Sequence, residues 1–437
     1  MEKFSSDFML GAATAAHQVE GNNTNSDCWA MEQMEHTSYL EPSLDAVDHY
    51  HRYEEDIRLL ADAGLNAYRF SIEWARIEPQ EGQFDQTETE HYRDVIRCCK
   101  KYGVEPVVTL HHFSSPKWLI GKGGWEAEST VADFERYVRY IIGELGSELH
   151  YVCTINEANM GIQVAAIAKR YMQTMMAAQA ANPQNGAGDK DSADGTVQVG
   201  INLAKMMEGQ KVTAEENMKV FGVAKVENFT SMRTPDGDLI VAHAHEAARR
   251  AIKELYPDIR VGLTLSLHDI QAAEGGEEAA AKEWADEFTH YLPYILEDDF
   301  LGIQNYTRSV IGPSGTLPVP EDAETTQMNY EFYPEALEHV IRRVAEDFKG
   351  DLIVTENGIA TADDKRRIEF IQRALAGVRR CMEDGLPVRG YFHWSLLDNF
   401  EWQKGYSMTF GLIAVDRSTQ TRQPKESLSF LGAQLKA

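Results

Sequence analysis

Eight short runs rich in Val, Ile, Leu, Phe and Tyr recur along the 437-residue chain between long amphipathic stretches, and this alternation restricts the fold more than any other feature. The runs are "FMLGAAT" (8–14), "NAYRFSI" (66–72), "VEPVVTL" (104–110), "YVCTIN" (151–156), "RVGLTLS" (260–266), "FLGIQNY" (300–306), "LIVTEN" (352–357) and "GYFHWS" (390–395). Helical candidates fall between them at 53–64, 87–103, 131–146, 242–256, 336–348 and 366–385. Strand followed by helix is the pattern of βαβ units around a parallel sheet, and eight such repeats close into a barrel more readily than they build an open sheet. The expected fold class is α/β, a single (β/α)8 TIM barrel with elaborated βα loops and one domain over residues 1–437. Gly64, Gly103, Gly146 and Gly385 read as C-caps of the helices they end. The stretch at about 171–240, which contains "NPQNGAGDKDSADGT", breaks the spacing and reads as an insertion after the fourth strand, part loop and part short helices.

Charge narrows the partners. With 42 Lys+Arg against 69 Asp+Glu the formal net charge is −27, which repels phosphate backbones and anionic headgroups, so neither nucleic acid nor a membrane surface is an expected partner. A hydrophobic fraction of 43% beside 25% charged residues is that of a soluble chain able to bury a full core. Cys28, Cys98, Cys99, Cys153 and Cys381 cannot all pair and form no C-x-x-C signature, so they read as free thiols in a reducing compartment. The N-terminal "MEKFSSDFML" reads as neither a signal peptide nor a membrane span, and a cytoplasmic protein is expected.

Catalytic groups of such a barrel sit at the C-terminal strand ends, where the βα loops converge on one crevice. The fourth run ends in Asn156-Glu157 and the seventh in Glu356-Asn357. A glutamate taken singly is far more often a solvated surface charge. These two stand out because each follows an apolar strand, each adjoins an amide, and they occur as a pair. Two carboxylates facing one pocket permit glycoside hydrolysis: one stays protonated and protonates the leaving oxygen, while the other attacks the anomeric carbon. Arg69, at the end of the second run, would keep Glu356 ionised. Gly358 would let the chain turn after it.

Other strand ends carry aromatic and polar groups suited to a sugar's apolar face and hydroxyl rim: Trp394, Glu401 and Trp402 in "YFHWSLLDNFEWQKGY", Gln18 in "AAHQVEG", and His111 and His112 in "TLHHFSSP". A competing reading joins His17, His111, His112 and His393 into a metal site of a barrel isomerase or hydrolase, although no H-x-H or H-E-x-x-H spacing is present. A catalytically silent sugar-binding barrel is a second alternative, since fold does not fix function.

The stretches "FMLGAATAAHQVEG", "YRFSIEWARIEP", "TLHHFSSPKWL", "TINEAN", "DFLGIQNYTR", "IVTENGIA" and "GYFHWSLLDNFEWQKGY" resemble, in order, the signatures of family-1 glycoside hydrolases, the β-glucosidase and β-galactosidase family. The resemblance implies a retaining exo-β-glycosidase, a carbohydrate hydrolase without metal or cofactor, acting on small β-glucosides or short oligosaccharides and, as side activity, on β-galactosides or β-fucosides. A homo-oligomer is compatible with it. Residue by residue, Glu157 matches the acid/base and Glu356 the nucleophile; Gln18, His112, Asn156, Glu401 and Trp402 match groups that hold sugar hydroxyls, Trp394 the stacking platform, and Arg69 and Tyr306 the residues that hydrogen-bond the nucleophile. Gln304 stands where the family usually has Asn, Ala158 replaces a usual Pro and should free the loop backbone, Asn159 falls where many members have a Trp on the leaving-group side, and Thr409 replaces a common Arg. Glu401, as an anion at the sugar's far rim, argues for unphosphorylated substrates, and the retained "DNFEW" resembles the branch that takes them.

Overall fold

The structure, a computed structural model, describes residues 3–181 and 213–436. Eight parallel strands close into a barrel and are numbered here in chain order: β1 Met9–Ala13, β2 Ala67–Ser71, β3 Glu105–His111, β4 Tyr151–Ile155, β5 Arg260–Ser266, β6 Phe300–Gln304, β7 Asp351–Asn357 and β8 Val388–Trp394. Neighbours around the ring are neighbours in sequence, and β1 closes it by pairing with both β2 and β8, Gly11 opposite Ala67 and Ala13 opposite Trp394. Each predicted run coincides with one of these strands.

A helix follows each strand on the outside: α1 His49–Asp62, α2 Gln86–Lys101, α3 Ser129–Leu145, α4 Pro235–Leu255, α5 Glu277–Glu287, α6 Ala336–Asp347, α7 Asp364–Glu383 and α8 Glu426–Gly432. Local chemistry sets their starts. Asp85 accepts from the amides of Thr87 and Glu88 at the head of α2, Asp363 does the same for Lys365 and Arg366 at α7, and Thr234 caps α4 with Pro235 in its first turn. No helix among the described residues is long and apolar enough to cross a membrane, and the five cysteines are buried free thiols.

Strand periodicity decides what faces the barrel interior. Met9, Ala67, Val107, Cys153, Phe300, Ile353 and Phe392 form one buried cluster, while Leu10, Tyr68, Val108, Val152, Leu301, Leu352 and Tyr391, their neighbours in sequence, join the larger cluster shared with the helices. Arg69, two residues after Ala67, follows the inward set. Strict alternation would send Glu356 outward with Leu352 and Val354. A register shift between Val354 and Glu356 against β6 breaks the alternation, and such an irregularity re-aims a side chain at the rim of a barrel.

Three of the four predicted C-cap glycines have left-handed backbones: Gly64 at φ 93°, Gly103 at 70° and Gly385 at 86°. Gly146 is the C-cap of α3 as expected but with a φ of −58°, and the Tyr256 ring lies 2.5 Å from where its Cβ would stand, so packing excludes a side chain there. The expectation for Gly358 is corrected. Its φ is not left-handed, and a Cβ would lie 2.0 Å from the Trp394 carbonyl oxygen, so close approach of β7 to β8 accounts for it, not a turn. At the predicted insertion, residues 182–212, with the whole of "NPQNGAGDKDSADGT", lie outside the described residues. Its flanks are more helical than expected: Met160–Ala181 is one helix, Ala214–Phe221 another, and α4 starts at Pro235 instead of 242. Helix α5 went unpredicted.

Gly358→Ala should cost roughly 1–3 kcal/mol of stability, the range for overpacking a tight site. Urea denaturation checks this, and an unchanged midpoint would show that β7 and β8 can separate without strain.

Candidate active site

Arg69 lies buried inside the barrel near its mouth, and its donors organise three strands. Nη1 donates to Glu356 Oε1 at 2.6 Å, Nη2 to Asn156 Oδ1 at 2.6 Å, and Nε to Thr109 Oγ1 at 3.1 Å. The second oxygen of Glu356 accepts the Tyr306 hydroxyl at 2.6 Å. Asn156 Oδ1 also accepts from Gln304 Nε2 at 2.7 Å, so the Asn156 amide is fixed with its Nδ2 turned away from these donors.

Above this network a pocket is lined by His112, Phe113, Asn156, Glu157, Tyr306, Glu356, Trp394, Glu401, Trp402 and Phe410. It brings both glutamates of the sequence reading into one cavity. Trp394 and Trp402 flank His112, with ring centroids 5.7 and 6.3 Å from it. Gln18 sits behind Glu401, its Nε2 donating to the Phe400 carbonyl at 2.7 Å and to Glu401 Oε2 at 3.3 Å.

Buried polar atoms ordinarily find partners, so those that do not are informative. Among the buried side-chain atoms without a partner in the described residues, which occur in other parts of the molecule as well, five belong to this pocket or to side chains bonded to its lining: Gln18 Oε1, His112 Nδ1, Asn156 Nδ2, Glu157 Oε2 and Gln304 Oε1. A hydroxyl-rich ligand would satisfy both donors and acceptors of such a set. Three lining residues, Phe113, Glu157 and Trp402, have left-handed backbones at φ 64°, 44° and 46°. Non-glycine residues in that region cost on the order of 1–3 kcal/mol each and persist where the surroundings over-determine them. At Glu157 the surroundings are visible: its amide donates to Thr264 Oγ1 at 3.0 Å and its carbonyl accepts from Met160.

The two carboxyls differ in environment. Burial pushes Glu157 well above the usual carboxylate range, the Glu356 charge pushes it further, Arg69 opposes, and Glu401 adds a smaller rise. Burial raises Glu356 too, but there the Arg69 charge and the hydrogen bonds from Tyr306 and Arg69 pull directly against it. Glu157 is therefore the carboxyl that keeps its proton. Burial, then the charges of Arg69 and His111, hold His112 well below its ordinary value, as a neutral imidazole.

The histidines proposed as a metal set are not brought together. His111 bonds Ser115 Oγ at 2.9 Å and packs against Trp125, His17 bonds Glu32 and Asn23, and only His112 lines the pocket. The one grouping of metal-ligand side chains among the described residues is Glu35, His36 and Glu216, a different set. Ala158 does not free its loop: its N–H, which a proline would lack, donates to Thr264 O at 3.1 Å, and Arg233 holds its carbonyl at 2.8 Å. Asn159 is buried and turned from the pocket, donating to the carbonyls of Ser266 and Glu287 and accepting from the Ser266 amide. Thr409 bonds Gln327. Sequence reasoning missed Phe113 and Phe410 as lining residues; the first adjoins His112 and could have been found, while the second arrives on the long loop after β8 with no local signal.

Comparison with known proteins gives one consistent relation. The model for Glycosyl hydrolase family 1 matches residues 1–185 and 305–436. A β-glucosidase of Agrobacterium sp. is 30% identical, over 97% of this chain and 94% of its own. A bifunctional β-D-glucosidase/β-D-fucosidase of Bifidobacterium breve is also 30% identical, over 98% and 97%. Among solved structures, the β-glycosidase BGL167 superposes with a TM-score of 0.85 at 44% identity, covering 99% of this chain and 98% of that one, and a β-glycosidase from Pyrococcus horikoshii with 0.77 at 30%, covering 99% and 94%.

Since the Glu356 charge raises Glu157, Glu356→Gln should lower the Glu157 pKa. Carboxyl-carbon NMR titration reads this directly; an unchanged Glu157 would show that burial alone sets its value.

Proposed function

The chain belongs to glycosyl hydrolase family 1 and is a β-glycosidase, and from that premise we propose that Glu356 is its nucleophile, Glu157 its acid/base, and terminal non-reducing β-D-glucosides its substrates. The observation that carries the assignment is the asymmetry of the pair. Glu356 has each oxygen bonded, by Arg69 and by Tyr306, which favours and aims an anion, whereas Glu157 keeps one oxygen without a partner in the pocket and the higher affinity for a proton.

In the first step Glu356 attacks the anomeric carbon, the bond to the leaving oxygen breaks, and that oxygen takes the Glu157 proton. In the second, Glu157, now a carboxylate, takes a proton from the water that displaces Glu356. Two inversions leave the configuration retained. Trp394 offers a face for the sugar, and Gln18, His112, Asn156, Glu401 and Trp402 surround its hydroxyls. Gln304 acts through Asn156, whose oxygen it holds. Glu401 would repel a phosphate on the far rim, which favours unphosphorylated sugars. The Bifidobacterium relative, named for both glucosidase and fucosidase activity, supports β-fucosides as side substrates.

Kinetics on aryl β-D-glucosides test the roles. Glu157→Ala should lose about 10²–10⁴-fold in kcat/KM with poor leaving groups and far less with good ones, because kcat/KM reports the first step and only poor leaving groups need the proton there. Glu356→Ala should be almost inactive, and azide should restore turnover with an α-glycosyl azide as product. Retention of full activity in either variant would overturn the assignment.

A further inference from the structure

We infer that Glu32, which lies outside the pocket lining, positions the sugar-binding wall by clamping the loop after β1 to the loop after β8. The inference rests on the β-glycosidase reading of the pocket and adds a residue to it. Glu32 is fully buried, and its two oxygens face different segments. Oε1 bonds His17 Nε2 at 2.7 Å. Oε2 accepts both the amide and the hydroxyl of Ser43, at 2.8 and 2.6 Å.

On the first side, His17 precedes Gln18 in the chain and stacks under Trp402, centroids 5.7 Å apart and planes 9° from parallel. The Asn23 amide nitrogen meets His17 Nδ1 at 3.1 Å, which leaves the Nε2 hydrogen for Glu32 and fixes the ring plane. The ring in turn supports Trp402, whose backbone is left-handed and would relax if the support were lost. On the second side, the Ser43 carbonyl accepts the Tyr406 hydroxyl at 2.6 Å, Glu41 accepts the Tyr406 amide at 2.9 Å, and the Leu40 amide donates to the Gln403 carbonyl at 3.1 Å. Residues 40–43 thus hold residues 403–406 by three hydrogen bonds. Glu401 and Trp402 stand at the start of the segment so held, and Gln18 completes the wall through its bond to Glu401. One carboxylate therefore sets both the ring beneath Trp402 and the loop that carries it. It touches neither the reacting atoms nor the sugar, so Glu32 is a positioning residue.

The test compares aryl β-D-glucoside with its galactoside, epimers that differ in one hydroxyl. In Glu32→Ala, KM for the glucoside should rise roughly tenfold or more, the effect of unpairing a buried charged hydrogen bond, while kcat changes by less than about threefold. The glucoside-to-galactoside ratio of kcat/KM should move toward one. Glu32→Gln keeps an oxygen for His17 but turns a donor amide toward the Ser43 N–H, so it should recover part of the loss; Ser43→Ala, which removes one bond, should move the same ratio in the same direction by less than Glu32→Ala. These two variants decide the question if Glu32→Ala does not fold. Folded variants with lowered melting temperature but wild-type KM and an unchanged sugar ratio would overturn the inference. A wild-type chain inert on both glycosides would instead overturn the β-glycosidase reading itself, so the two failures are distinct.

Discussion

The guanidinium of Arg69, enclosed in the barrel, is the charge on which the site depends. Two carboxyls, Glu157 and Glu356, share a buried pocket, and two anions there would be prohibitive without a compensating cation. Arg69 sits at the inward register of β2, bonded directly to Glu356 on β7 and to Asn156 just after β4, next to Glu157. That asymmetry pulls against the rise that burial imposes on Glu356 and leaves Glu157 raised further, so Glu157 holds a proton more strongly. The same side chain joins the ends of three strands, so the electrostatics of the site and the shape of the barrel mouth cannot be varied independently.

Loops carry the rest of the pocket, and they are held with unusual backbone geometry. Phe113, Glu157 and Trp402 follow β3, β4 and β8, and each has a left-handed backbone at a residue with a side chain. One hydrogen bond to Thr264 on β5 and one from Met160 fix the Glu157 backbone, and a stacked, carboxylate-bonded histidine underlies Trp402. The strain is local and its restraint comes from elsewhere in the sequence, as expected where a site must be formed before substrate arrives.

Much of the fold was legible because barrel strands are continuous apolar runs buried on both faces. Helix α5 was not, since "EEAAAKEWADE" buries only Ala280, Trp284 and Glu287 and so shows no clear apolar face. The two pocket glutamates could be located from strand ends, yet the strand period taken literally turns Glu356 away from the pocket; the register shift before it depends on β6 and is not written in β7 itself. Gly146 and Gly358 were readable as constrained positions but not as close approaches, because their reasons lie at Tyr256 and Trp394. The replacement at Ala158 illustrates the same limit: the hydrogen bond from its N–H to the Thr264 carbonyl ties the loop after β4 to β5 and has no trace in the local sequence.

Covalent catalysis by Glu356 is most directly tested by trapping. A 2-deoxy-2-fluoro-β-D-glucoside with a good leaving group slows both steps, and turnover of the intermediate more than its formation, so a glycosyl-enzyme should accumulate. Mass spectrometry of the protein and its peptides should find one 2-fluoroglucosyl ester, on Glu356. An adduct on Glu157 or another residue, or steady turnover of a natural glucoside to a product of inverted configuration, would contradict the account.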